Sequence, residues 1–204
     1  MRRSLCGGIL ALVVLAGSAA TSVAQETGTP VFKAPYRHFQ EHEFGLTFSD
    51  YEAVSGALEA SYTYGVGKND FGVRGGVADP AGEGDTRVLL GGSFRTRVVE
   101  YSESFPLDGA LTVGLGANFG SGDDLFLIPV GVSLGRKFNM EGSNVTFTPY
   151  AHPVLVPVLG SGDSDVEFAL GLGVDVRFSE RWAARVSGGI GDIEGVGLGI
   201  AYVR

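Results

Sequence analysis

Ten charged side chains recur on the small-residue side of alternating segments: Glu59, Arg74, Arg87, Arg95, Arg97, Glu167, Asp175, Arg177, Arg181 and Arg185. If that side lines an enclosed space, two chemistries follow. Arginines around an open pore favour anions. Interleaved with acids in a narrow interior, the same residues pair off and fill it. The sequence predicts the second outcome, a lumen charge network acting as a plug.

A second set is acidic. Asp50, Glu52, Asp79, Glu83, Asp85, Asp123, Asp124, Asp163, Asp165, Asp192 and Glu194 all fall in short connections, which apart from residues 49–52 are glycine-rich. Their carboxylates are oxygen ligands of the kind calcium prefers, yet their spacing does not match a dedicated calcium loop. They are expected to be solvated acids around one mouth, with no bound metal.

Catalysis finds little support. The histidines are His38, His42 and His152, and Ser143 and Ser161 lie near the ends of the segment that carries His152. No nucleophile, base and orienting group can be assembled from them. Gly114-Leu115-Gly116 lacks the lysine and following helix of a phosphate loop. No catalytic residue and no cofactor is expected.

What must position these residues is a set of strands. In Val166–Phe178, Val166, Phe168, Leu170, Leu172, Val174, Val176 and Phe178 point one way. Glu167, Ala169, Gly171, Gly173, Asp175 and Arg177 point the other. A slip by one residue would move three charges to the apolar side, so the register is fixed. Similar period-two alternation recurs from Glu43 onward and predicts about ten strands, with eight or twelve as alternatives. Val145–Val158 is the irregular one. Its Pro149, Pro153 and Pro157 give no ladder N–H, so a bulge, a bend or an early exit is expected there.

The connections supply an independent check. In an up-and-down barrel, successive turns fall at opposite ends. Residues 49–52, 79–85, 121–124, 160–165 and 191–195 are rich in acid and, apart from 49–52, in glycine. Residues 67–69, 101–108, 139–144 and 179–181 are mixed in charge. The strand list therefore sorts the turns into two chemical classes, placing the acidic class at one mouth.

The start of the chain has a different grammar. Arg2 and Arg3 precede the apolar run Ile9–Ala16, and Ser22-Val23-Ala24 offers small residues for cleavage. This predicts an export signal over 1–24, too short in its apolar run to span a bilayer as a helix. Residues 25–42 hold Pro30 and Pro35 and no sustained period, an irregular extension before a barrel over 43–204. Cys6, the one cysteine, lies inside the signal. An exported chain without disulfides needs another source of stability, and a closed sheet in lipid is one.

Charge and composition narrow the class further. The 204-residue chain carries a net charge of -8, and an acidic surface excludes nucleic acid as a partner. Only 19% of residues are charged, too few for the outer face of a soluble barrel of this size. The face opposite the aliphatic rows is dominated by Gly, Ala, Ser and Thr. Aromatic residues near strand ends, including Phe44, Tyr62, Phe126, Phe178, Trp182 and Tyr202, suit interfacial girdles. The sequence therefore predicts an all-β, closed antiparallel transmembrane barrel with its apolar face in lipid.

From the signal, the strand grammar and the final strand GVGLGIAYVR (195–204), the chain resembles the small outer-membrane β-barrel proteins, the OmpA/OmpX/OmpW-like group. It departs from them at the end, where Arg204 follows the nearest aromatic, Tyr202. The resemblance implies the cell outer membrane, contact with its lipid and lipopolysaccharide, the barrel-assembly machinery during insertion, and a monomer. A structural or envelope-interacting role without catalysis is expected. The alternatives are a narrow porin-like channel for small solutes and, less favoured, a lipid-modifying enzyme.

Overall fold

A computed structural model of the chain describes residues 26–37, 39–51, 54–82, 84–120, 124–160 and 164–204. The export signal expected over 1–24 lies outside them. Among the described residues there is no helix, and twelve strand segments form one sheet. They are β1 (His42–Tyr51), β2 (Val54–Val66), β3 (Asn69–Pro80), β4 (Arg87–Val99), β5 (Asp108–Phe119), β6 (Leu125–Leu127), β7 (Val130–Gly135), β8 (Phe138–Asn139), β9 (Thr146–Leu159), β10 (Ser164–Arg177), β11 (Trp182–Gly191) and β12 (Gly195–Val203).

Every neighbouring pair is antiparallel, and the sheet closes where β1 meets β12, from Glu43 opposite Val203 to Tyr51 opposite Gly195. Closure removes the unpaired edge that lipid cannot satisfy. β6, β7 and β8 are one stave, not three. Against β9 they keep a single register, with Leu127 opposite Val158, Val130 opposite Leu155, Gly135 opposite Tyr150 and Phe138 opposite Phe147. The barrel therefore has ten staves.

The interruptions have a cause in β9. Pro157, Pro153 and Pro149 stand opposite Ile128, Val132 and Arg136 in that register. Two of the three pairings keep one bond, Ile128 N to the Pro157 carbonyl (3.0 Å) and Arg136 N to the Pro149 carbonyl (3.3 Å). A proline has no N–H to return, so each partner's carbonyl loses its ladder donor. The breaks in the sixth stave fall at 128–129 and 136–137, and Pro129 weakens the first from its own side. The expectation of a bulge, bend or early exit within Val145–Val158 is thus corrected. β9 runs unbroken for 14 residues, and its pairing with β10 shows no register shift. β10 holds β9 straight on one side, and the cost of the prolines falls on the stave at the other.

The faces are inverted relative to a soluble barrel. Leu115 (62% exposed), Val166 (60%), Phe44, Leu58, Val73, Phe168, Val186 and Leu198 all stand outward. Such a continuous apolar outer surface is unsuited to water and suited to hydrocarbon. Rings meet near both rims. Trp182 packs edge-on against Tyr202, Phe44 against Tyr62 and Phe71 against Phe94 towards the end that holds the C-terminus. Phe119 meets Phe126 near the other end.

The interior is divided. One wall is apolar, with Leu127, Tyr150, Val154, Val156, Val158 and Ala169 packed with Phe32, Ala34 and Ile193. A smaller cluster of Tyr51, Val54, Ala57, Ala78 and Leu89 lies beneath the acidic mouth. The remaining inner wall is polar.

Candidate functional site

The irregular segment before β1 passes through the barrel. Residues 26–32, Ala34 and Phe39 are buried, with Lys33 and the stretch around Tyr36 half-buried. Pro30 and Pro35 keep this stretch out of the ladder, so its backbone groups need other partners. The wall supplies them. Ser187 Oγ donates to the Pro30 carbonyl (2.7 Å), and Tyr150 Oη to that of Phe32 (2.9 Å). Ser133 Oγ donates to the Lys33 carbonyl (2.5 Å), and Arg95 Nη1 to those of Ala34 (2.5 Å) and Tyr36 (3.0 Å).

Side chains tie the segment down further. Lys33 Nζ reaches Glu26 (2.6 Å) and Ser93 (2.5 Å). Thr29 donates to Glu59 (2.7 Å), Arg37 pairs with Asp70 (3.0 Å), and Tyr36 hydroxyl donates to Asp108. The Lys33 backbone N–H points at His152 Nδ1 (3.3 Å). That nitrogen must accept, so the imidazole proton sits on Nε2 and is shared with Thr112 Oγ1 (2.8 Å).

Glycine makes room for this segment. A side chain at Gly116 would collide with the Glu26 carbonyl, and one at Gly171 with the ring of Phe32. Gly91 and Gly114 likewise face Glu26, and Gly197 faces Pro30. These inward glycines stand on several different staves and together outline the path of the chain.

The wall charges pair among themselves and with the segment. Arg185 grips both oxygens of Glu43 (2.7 Å each) and reaches Asp175 (3.2 Å). Arg95 reaches Asp70 at 2.5 Å. Arg74 stands 3.9 Å from Glu59, a looser pair, and both are buried. Glu167 is also buried. Towards the rims, Arg87 bonds to Asn118 through its side chain (2.5 Å) and carbonyl (3.1 Å). Arg97 meets Glu100 (3.3 Å), and Arg177 donates to the carbonyls of Ser179 and Glu180. Arg181 is exposed in the turn between β10 and β11. So Glu59, Arg74, Arg95, Glu167, Asp175 and Arg185 sit deep, while Arg87, Arg97 and Arg177 sit nearer the ends.

The acids of the other set occupy one end. Asp50, Asp79, Asp85, Asp124, Asp165, Asp192 and Glu194 are exposed there. Glu52, Glu83, Asp123 and Asp163 lie outside the described residues, as do His38 and Ser161. Asp79 accepts from Thr86 (2.9 Å) and Asp165 from the Val166 N–H (2.7 Å), each within its own connection, while Asp192 accepts from the Phe168 N–H on β10 (2.8 Å). Among the described residues no group of three or more His, Cys, Asp or Glu is placed to hold a metal ion.

Deep between segment and wall is a cavity of about 40 Å³, bordered by Glu26, Lys33, Arg74, Arg95, Asp175 and Arg185, and a wider space of about 190 Å³ opens at the rim between Tyr36, Arg37 and Phe39 and the wall residues Lys68, Asp70 and Arg97. The deep cavity has room for a few waters at most. The expected wall charges share the lumen with residues 26–37 and Phe39, an occupant the sequence does not announce by any period. The signal was present in the inward glycines, which are too small to fill a ten-stave interior by themselves.

A closed, apolar-skinned β-barrel with a polar, filled interior defines the class: a transmembrane β-barrel. The chain belongs to the outer membrane protein beta-barrel domain family, whose model matches residues 9–200. Among solved structures it is similar to the beta domain of the Bordetella autotransporter BrkA, at 16% identity and a TM-score of 0.52, covering 81% of this chain and 100% of that one. It is also similar to a de novo designed transmembrane β-barrel, at 18% identity and a TM-score of 0.41, covering 79% and 93%. No curated protein matches it significantly. Family and fold together place the protein in the outer membrane.

Proposed function

We propose that the protein is a non-conducting structural barrel of the outer membrane, sealed from within by residues 26–37 and Phe39 and acting in envelope integrity or surface contact. The observation that carries this reading is the occupied lumen. A solute would have to displace a segment held to the wall by at least eight side-chain and backbone contacts, from Thr29–Glu59 to Arg37–Asp70. The space beside the segment is wide only at the C-terminal rim and narrows to about 40 Å³ at the level of Lys33 and Arg74.

Catalysis is not part of the proposal. His152 faces the lumen, away from lipid, with both ring nitrogens engaged. Ser143 instead caps its own turn by accepting from Val145 N–H (3.0 Å).

The proposal includes an orientation. With the C-terminus and the start of β1 at the periplasmic side, the acidic mouth faces outward, towards lipopolysaccharide. Cleavage after Ala24 leaves a mature chain that begins next to Glu26. The closed ring offers no free edge for pairing, which supports a monomer after insertion by the barrel-assembly machinery.

Osmotic swelling of proteoliposomes in a small sugar tests the seal. The intact protein is expected to swell no faster than empty vesicles. Rapid swelling would establish the porin-like alternative in its place. Mass spectrometry of phospholipid and lipopolysaccharide incubated with the same vesicles is expected to show no change; new lipid species would make the protein an enzyme.

A further inference from the structure

Arg136 is a cation in an apolar row. It stands between Leu134 and Phe138 on the outer face of the sixth stave, near the end that holds the C-terminus. Its guanidinium lies over the Tyr101 ring at 4.5 Å and near the Phe138 ring at 5.4 Å. Among the described residues no carboxylate is within ion-pair reach of it and no acceptor takes its protons.

The surroundings are fixed rather than loose. Tyr101 is held by its backbone N–H to Asp108 (3.1 Å), at the root of a turn closed by mutual bonds between Ser102 and Phe105. Phe138 stacks on Phe147 at 5.3 Å, and their residues pair across β8 and β9. The Arg136 backbone is anchored by the Pro149 carbonyl. Tyr101, Phe138 and Met140 are all exposed around it.

Apolar neighbours on an outer face mean hydrocarbon on one side, and the rim aromatics place this height at the headgroup layer. A guanidinium held over a ring by cation–π attraction, with no acceptor on its N–H groups, keeps those groups for two phosphate oxygens. An unpaired cation there leaves its charge to be met by the lipid itself. We propose that Arg136, Tyr101 and Phe138 form a binding site for the phosphate of one anionic phospholipid at the leaflet nearest the C-terminus. The guanidinium edge holds the phosphate, the two rings fix the guanidinium, and Leu134 and Val132 line the start of the acyl chains.

The test uses the protein without its export signal, refolded in detergent and titrated with dimyristoylphosphatidylglycerol under native mass spectrometry. One lipid is expected to stay bound through delipidation. Arg136→Gln should weaken it roughly tenfold, the scale of a lost charge-assisted contact. Tyr101→Leu should weaken it by a smaller factor, since it frees the guanidinium without removing it. Arg204→Gln, the same charge change at the same end, should leave it unchanged. Circular dichroism and heat-shifted gel mobility confirm that each variant is folded. If Arg136→Gln fails to fold, Tyr101→Leu against Arg204→Gln decides the matter. Equal weakening by the Arg136 and Arg204 variants, no retained lipid, or displacement of the lipid by millimolar inorganic phosphate would each overturn the proposal.

Discussion

At the residue scale, what distinguishes this barrel is where it has no side chain. Gly171 and Gly116 face the lumen on β10 and β5, and each meets the N-terminal segment directly, through Phe32 and Glu26. Gly171→Leu forces a choice between wall and segment. The wall strand is held by full ladders to β9 and β11, whereas Phe32 is held locally by one bond from Tyr150 and by apolar packing. The segment should therefore move. The expected cost is about 1–3 kcal/mol, the usual range for overpacking, read as a lower urea midpoint. Protease should also nick residues 26–37 faster. An unchanged midpoint with unchanged cleavage would mean that Phe32 does not lie against Gly171. The buried ion pairs are a different kind of contact. Arg185 with Glu43 and Asp175 adds little net stability, but removing one partner would strand the others, which is why such groups occur as a matched set.

At the element scale, β9 and the stave beside it carry the barrel's weak seam. Restoring one donor tests this. In Pro153→Val the new N–H faces the Val132 carbonyl, in register with the Ile128 and Arg136 pairings. Two effects compete. The unfolded chain gains freedom, which destabilises by about 0.4–1 kcal/mol. A carbonyl with no donor in a lipid-facing wall costs several kcal/mol, and even partial recovery wins. A net gain of about 1–2 kcal/mol in unfolding free energy is expected, with slower amide hydrogen exchange in β7. A loss of stability would show that Val132 is already satisfied by another group.

The elements also show how much the sequence discloses. Alternation in Val166–Phe178 gave face and register, because lipid and lumen make opposite demands on successive residues. The acid-rich and mixed turns gave the up-and-down order. The break in the sixth stave was hidden, since its cause lies in prolines some 20 residues further along the chain. Pairing across the sheet is needed to see it. The N-terminal segment was hidden for a related reason. Its residues carry no period, and its partners, such as Ser187, Ser133 and Arg95, are 61 to 157 residues distant.

At the scale of the whole molecule, two opposite solvents shape one sheet. Hydrocarbon outside demands closure and an apolar skin, and closure leaves an interior that must be filled or flooded. Ten staves with many inward glycines cannot fill it alone. The chain resolves this by occupying its own lumen with the residues that precede β1, which carry polar partners for the wall: Glu26, Thr29, Lys33, Tyr36 and Arg37. Barrel and filling thus come from a single chain.

The most direct test is planar-bilayer conductance of the intact barrel beside a variant lacking residues 26–39. The intact protein should stay silent, and the truncated one should open in discrete steps, because the wall alone leaves a polar passage. Steps from the intact protein, or silence from a truncated variant shown to be folded and inserted, would contradict a lumen sealed by its own leading segment.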